Sequence, residues 1–167
     1  MKRKFVIMFA GGTGTSKTPI ANYLSGKFSL PTFNTDAIRS EISEDYGGYD
    51  SEKYRRLRDL RLREVIEIGN SFILDASVDR EWDHYKEWLE KAGYEFFLIS
   101  MDLSKEFMHK LFAAKIYQAV SHIDGWYNEH GIFLKENQSF VNISITDKTF
   151  KNRIDLASSA FENWLIS

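Results

Sequence analysis

Cysteine is absent from the 167-residue chain. That excludes disulfides, thiolate zinc sites and a thiol nucleophile, and it suits a reducing compartment. No run approaches the ~18 apolar residues that a membrane-spanning helix needs. The opening MKRKFVIMFAGG is basic and then apolar, like a secretory leader. Its apolar run Phe5–Ala10 is shorter than the core of such a leader and ends in glycines, so a first strand accounts for it better. Repeats, low-complexity tracts and Pro/Gly-rich linkers are also missing, which leaves a single domain spanning 1–167. A chain of this size buries roughly 70% of its unfolded surface and folds without staples. The formal net charge is only -2, so overall charge does not indicate a nucleic-acid or membrane partner. A cytoplasmic protein is expected.

Several chemistries lack their residues. His84, His109, His122 and His130 show no H-E-x-x-H or comparable metal-ligand spacing and read as ordinary surface or core side chains. No serine sits in G-x-S-x-G, which argues against a serine hydrolase of that type. A guanine-specific N-K-x-D is missing. Asp45-Tyr46-Gly47-Gly48 matches D-x-x-G but follows no apolar strand, as chance would have it.

What remains is an alternation. Apolar runs occur at Phe5–Ala10, Pro31–Thr35, Ser71–Asp75, Phe96–Met101 and Phe140–Thr146. Helical patterns lie between them, near Lys17–Lys27, Asp36–Glu44, Ser51–Gly69, Arg80–Ala92, Ser104–Ile123 and Asp147–Leu165. Near-continuously apolar strands alternating with helices predict an α/β fold, a five-stranded parallel sheet covered on both faces. Ligands then bind outside the carboxyl ends of the strands. The polar residues there are Gly11–Thr18, Asp36, Asp75, Asp102 and Thr146–Lys148; Asp102, just before the N-cap candidate Ser104, reads as structural.

The first of these stretches is GGTGTSKT, Gly11 to Thr18. Gly11, Gly12, Thr13, Gly14, Thr15, Ser16, Lys17 and Thr18 form a glycine-rich loop between a strand and a helix, with Pro19 at an early helical position. Such a loop aims backbone N–H groups at an anion at the positive end of a helix. Lys17 then reaches the β- and γ-phosphates of a nucleoside triphosphate, and the Thr18 hydroxyl holds Mg²⁺. Ser16 departs from G-x-x-x-x-G-K-[ST]: its β-carbon crowds the phosphate or restricts the backbone, and weakened binding is expected. A rival reading is a dinucleotide fingerprint, since Gly12-Thr13-Gly14 and the distant Asp36 fit part of it. Its third glycine falls on Lys17, which would obstruct close helix–strand packing.

NTDAIRSEI follows at Asn34 to Ile42. Asp36 and Arg39 share a helical face. They form either a local ion pair at a helix start or a catalytic pair. Phosphoryl transfer to an alcohol needs a carboxylate near the attacking hydroxyl and a cation to hold the acceptor. Asp75 ends an apolar strand; it either orders Mg²⁺ through water or touches the acceptor, or it caps the following helix.

GGTGTSKT, TDAIR, SFILDAS and FFLISMD together resemble the small P-loop kinases related to polynucleotide kinase, zeta-toxin, gluconate kinase and adenylylsulfate kinase, over Lys4–Asp102. The resemblance implies a three-layer P-loop NTPase fold with the adenylate kinase-like order 2-3-1-4-5. It implies ATP and Mg²⁺, with Lys17 and Thr18 in the phosphate and metal roles, Asp36 as general base and Arg39 as acceptor ligand. A small hydroxyl-bearing acceptor follows. Family members carry arginines in a lid after the fourth strand, whereas this chain has no arginine between Arg80 and Arg153. Within the lid region, about 104–135, Lys110 and Lys115 are the candidate replacements, although lysine suits phosphate geometry less well. Trp126, Tyr127 and Phe133 either stack on a ligand or pack the lid. Tyr54–Arg63 carries five arginines, Arg55, Arg56, Arg58, Arg61 and Arg63, read as a solvated basic face or as ligands of an anionic acceptor. The leading expectation is an ATP-dependent kinase; the alternative, prompted by Ser16 and the arginine-poor lid, is a nucleotide-binding module without transferase activity.

Overall fold

The computed structural model describes residues 3–167, so Met1 and Lys2 of the expected 1–167 domain lie outside the described residues. Five strands, β1 (Phe5–Ala10), β2 (Thr32–Asn34), β3 (Phe72–Ser77), β4 (Glu95–Asp102) and β5 (Val141–Thr146), form one sheet. All pairings are parallel, in the order β2-β3-β1-β4-β5. The dinucleotide-binding alternative is corrected by this order. β3 lies beside β1 here, whereas the dinucleotide fold places its second strand there.

β1 explains why both faces are covered. Its side chains alternate across the sheet. Val6, Met8 and Ala10 join one buried cluster with Leu62, Leu74 and Leu89. Ile7 and Phe9 join the other with Ile20, Leu24, Phe112 and Phe161. A central strand with two buried faces cannot alternate apolar and polar residues, which is why FVIMFA reads as one unbroken run.

Among the described residues, seven α-helices cover the sheet: α1 (Lys17–Phe28), α2 (Thr35–Tyr46), α3 (Ser51–Ile68), α4 (Trp82–Lys91), α5 (Lys105–Lys115), α6 (Ile123–Asn137) and α7 (Arg153–Leu165). Three of their starts carry a side-chain cap. Asn34 Oδ1 accepts from the Asp36 and Ala37 N–H groups at 2.8 and 3.3 Å. Asp50 caps α3 and Ser104 caps α5 through the same kind of bond.

Two boundaries differ from expectation. The long helix expected over Ser104–Ile123 is interrupted: α5 ends at Lys115, and Ile116 turns left-handed at φ 58°. A tight turn at Val120–His122 then starts α6, which the sequence pattern leaves unassigned. The last helix begins at Arg153 rather than Asp147. The intervening residues form a turn in which Thr149 Oγ1 accepts from the Thr146 N–H at 2.9 Å. Among the described residues, no helix is long and apolar enough to cross a membrane.

On one face the core closes around Phe161, which is fully buried among Phe5, Phe28 and Phe97, with ring centroids 4.9–5.4 Å away. Phe161→Ala should lower the unfolding free energy by about 3–5 kcal/mol, read from the midpoint of a urea transition at unchanged slope.

Candidate functional site

Parallel strands bring their carboxyl ends to one edge. Register places Asn34 beside Asp75, and Ala10 beside Ser100. The loop Gly11–Thr18, the start of α2 and the end of β3 therefore meet along a cleft of about 980 Å³. Gly12, Thr13, Gly14, Ser16, Lys17 and Thr18 of the loop line it with Asp36, Arg39, Asp75 and Lys115, whereas Gly11 and Thr15 are buried behind it.

The glycine loop is gripped from outside. A β-carbon on Gly12 would lie 2.7 Å from Trp126 Cβ, and one on Gly14 would lie 2.5 Å from Phe112 Cε2. Inside, Lys17 Nζ donates to the Gly11 and Gly12 carbonyls at 2.9 and 2.6 Å. Burial of that ammonium pushes its pKa down to about 8, against the opposing pull of Asp79, Asp75 and Asp36. Thr15 Oγ1 ties the loop to itself by donating to the Gly12 carbonyl at 2.8 Å. Thr13 lies on the exposed side of the loop and lines the cleft.

Thr18 Oγ1 donates to Asp75 Oδ2 at 2.9 Å. Asn34 Nδ2 reaches the same oxygen at 3.3 Å. Asp75 is 6% exposed, and burial raises its pKa despite Thr18 and Lys17. It does not cap the next helix, which starts only at Trp82. A hydroxyl and a carboxylate are hard oxygen donors of the type Mg²⁺ takes alongside phosphates and water. Among the described residues, no group of three or more His, Cys, Asp or Glu forms a metal cage. These residues thus fit a metal that arrives with phosphate.

Asp36 and Arg39 sit across the cleft from the loop at the start of α2, both exposed, 3.8 Å apart at closest approach. The Arg39 guanidinium lies over Tyr54 and Tyr49, 4.9 and 5.2 Å from the ring centroids.

The basic stretch of α3 divides by direction. Arg58 is buried at 3% exposure; burial opposes its charge but bonds to Glu81 and Asp59 outweigh it and keep it protonated. The solvated-face reading therefore fails for Arg58. Arg61 makes a two-pronged pair with Glu41, and Arg63 lies over Trp88. Arg55 lines the cleft and makes no ion pair among the described residues.

The lid candidates part company. Lys115 Nζ donates to the Gly14 carbonyl at 2.8 Å, and burial lowers its pKa. Lys110 lies on the exposed side of α5, paired with Glu106 at 2.8 Å, and is not among the residues lining the cleft. Trp126 packs on the loop, Tyr127 is exposed beneath Lys105, and Phe133 belongs to the core against Trp82.

Three site residues escaped the sequence. Asp79 is 3% exposed at its side chain and accepts from the Gly11 N–H at 2.9 and 3.1 Å. His130 Nδ1 lies 3.2 Å from Asp79 Oδ2, and His130 Nε2 lies 3.1 Å from Ser100 Oγ. His130 is therefore part of a buried polar chain rather than an ordinary core side chain. Asp79 follows β3 at the same sheet edge as Asp75, a position that could have flagged it. The other missed residue is Arg153, whose Nε donates to Ser16 Oγ at 3.0 Å. Nothing in the sequence marks that contact.

No family model matches the chain, and no curated protein matches it. Solved structures do share the fold. A candidate kinase from Chloroflexus aurantiacus J-10-fl is 18% identical over 99% of this chain and 95% of that one, with a TM-score of 0.66. The APS kinase CysC of Mycobacterium tuberculosis, in complex with AMPPNP and APS, is 16% identical over 96% and 98%, at 0.60. Shikimate kinase from Aquifex aeolicus VF5 is 13% identical over 98% and 99%, at 0.61. The chain thus shares the α/β fold of these structural neighbours, with a five-stranded parallel sheet, at low sequence identity.

Asp79→Ala would leave the Gly11 N–H and His130 Nδ1 unpaired in the interior. It should cost about 3 kcal/mol of stability, measured by chemical denaturation, with Asp79→Asn losing less.

Proposed function

We propose that this protein is an ATP- and Mg²⁺-dependent phosphotransferase acting on a hydroxyl of a small, anionic acceptor in the cytoplasm. The observation that carries the reading is the Thr18–Asp75 bond at 2.9 Å beside the buried Lys17 ammonium, with Asp36 and Arg39 facing them across one cleft. The kinase fold of the structural neighbours supports it.

The residues divide the work. The N–H groups of Gly12–Thr18 bind the phosphates at the start of α1, that of Gly11 being held by Asp79, and Lys17 leaves its carbonyl partners to pair with the β- and γ-phosphate oxygens. Thr18 and Asp75 would hold Mg²⁺, which when bound offsets phosphate charge. The acceptor oxygen attacks the γ-phosphorus as the bond to the β,γ-bridging oxygen breaks, and ADP leaves. Asp36 takes the hydroxyl proton. Arg39 and Arg55 hold the acceptor's anionic group, and the rings of Tyr49 and Tyr54 flank it. Lys115 moves from Gly14 onto the transferring group as the cleft closes. Lys110, facing outward, contributes to that step only if α5 rotates.

A panel of hydroxylated carboxylates and phosphate esters with labelled ATP tests the activity. Lys17→Ala should abolish ATP binding, whereas Asp36→Asn should retain it and lower turnover by about a hundredfold or more. Full turnover by Asp36→Asn removes Asp36 from the chemistry. ATP binding without transfer to any acceptor favours the nucleotide-binding module, a reading that the absence of a lid arginine supports.

ATP affinity should also depend on pH. Lys17 titrates near pH 8 in the free protein, and a bound polyphosphate raises its pKa, so binding takes up a proton. Affinity should be nearly full at about pH 7 and fall about tenfold by about pH 9, by calorimetric titration. A flat profile would show that binding takes up no proton at Lys17 in this range, and the Lys17→Ala titration alone would then decide whether Lys17 meets the phosphates.

A further inference from the structure

Ser16 stands where phosphate loops carry glycine, and its backbone is left-handed, at φ 76° and ψ 34°. A β-carbon makes that conformation unfavourable for an L-residue, and serine lacks the local preference for it that asparagine and aspartate have. Something outside the loop must hold it. Ser16 is 6% exposed, and its Oγ accepts from Arg153 Nε at 3.0 Å. The side chain therefore points toward the start of α7.

Arg153 is itself fixed. Its Nη1 donates to the Phe150 carbonyl at 3.0 Å, and its guanidinium lies 4.2 Å from the centroid of the Phe150 ring. Among the described residues it has no carboxylate partner within ion-pair distance. An arginine whose Nε is given to a serine hydroxyl, with no anion beside it, is placed for that hydroxyl. Ser16 left-handed followed by helical Lys17 is also the backbone succession that turns neighbouring N–H groups into an anion-binding nest.

We infer that Arg153 is a positioning residue for the phosphate loop: it holds Ser16 left-handed through its Oγ, replacing the conformational freedom of the missing glycine. The affinity consequence rests on the phosphate-binding reading of the loop; the conformational consequence does not.

A double-substitution cycle tests the strut, with ATP affinity titrated well below the melting temperature and thermal midpoints taken without nucleotide. Arg153→Ala should weaken ATP binding about tenfold in the native background and less than about twofold in Ser16→Gly, where glycine needs no support. Ser16→Ala keeps the β-carbon and loses the acceptor, so it should match Arg153→Ala, and the two together should lose no more than either. Midpoints of the nucleotide-free variants should show the same non-additivity. Disturbance of the α7 start or of Phe150 lowers both backgrounds equally and cancels in the cycle. Equal losses with and without Ser16→Gly, in affinity and in midpoint, would overturn the inference. Retained ATP binding by Lys17→Ala would instead overturn the phosphate-loop reading, and the midpoint cycle would still decide the strut.

Discussion

The Lys17 ammonium lies under the Gly11–Thr18 loop, bonded to two carbonyls of that loop and with Asp79, Asp75 and Asp36 acting on its charge. An enclosed cation is unfavourable, and its lowered pKa records that. The loop tolerates it because the parallel sheet delivers three carboxylates to one edge, from the end of β3, the segment after β3 and the start of α2. None of the three reaches Lys17 within ion-pair distance. The ammonium is thus kept charged by a surrounding field while leaving its bonds to weak, replaceable carbonyl partners. A group arranged this way can be claimed by an incoming polyphosphate without first breaking a salt bridge.

The same requirement explains the chain of buried polar groups behind the loop. Gly11 carries the first N–H after β1, where the strand's own pairing has ended. Asp79 satisfies it and is in turn met by His130 of α6, which reaches Ser100 on β4. Four segments distant in sequence are joined by one satisfied network. Such networks stabilise only when every member has a partner. Trp126, on the same helix as His130, packs against Gly12, so α6 holds the loop by both polar and apolar contact.

The sequence made the sheet legible because its strands are buried on both faces and the runs stand out. The loop was legible because its glycines, Lys17 and Thr18 are contiguous, and Asp36, Arg39 and Asp75 because each falls just past or at the end of a strand. The rest depends on tertiary pairing. Asp79 and His130 are separated by 51 residues, and Arg153 and Ser16 by 137, so no local period connects them. The break after Lys115 was hidden for a different reason. Residues 105–123 keep a helical apolar pattern through Ile116, Tyr117 and Val120, but these side chains are exposed and carry no core face. Periodicity reports burial, and where an apolar residue faces solvent it misleads.

This arrangement also recasts the missing lid arginine. Lys115 reaches Gly14 from the end of α5 and Arg153 reaches Ser16 from the start of α7, close enough that Arg153 adds to the lowering of the Lys115 pKa. Both cations approach the rim of the loop, and both now bond to neutral oxygens. Two positive groups facing neutral acceptors repel each other with no anion between them. Arg153 is anchored to Phe150 as well as to Ser16, so it is the fixed member. Lys115 is the last residue of α5, before the left-handed Ile116, and its ammonium has one hydrogen bond to the loop, to the Gly14 carbonyl. A phosphate entering the loop would supply the anion this pair lacks, and relief of their repulsion favours the state in which Lys115 faces the phosphate. A lysine on a helix end can make that move, whereas an arginine held by two bonds cannot. The division of labour follows from where each side chain is anchored: Arg153 is tied to the loop through Ser16 and to Phe150, and Lys115 is tied to the loop through the Gly14 carbonyl alone.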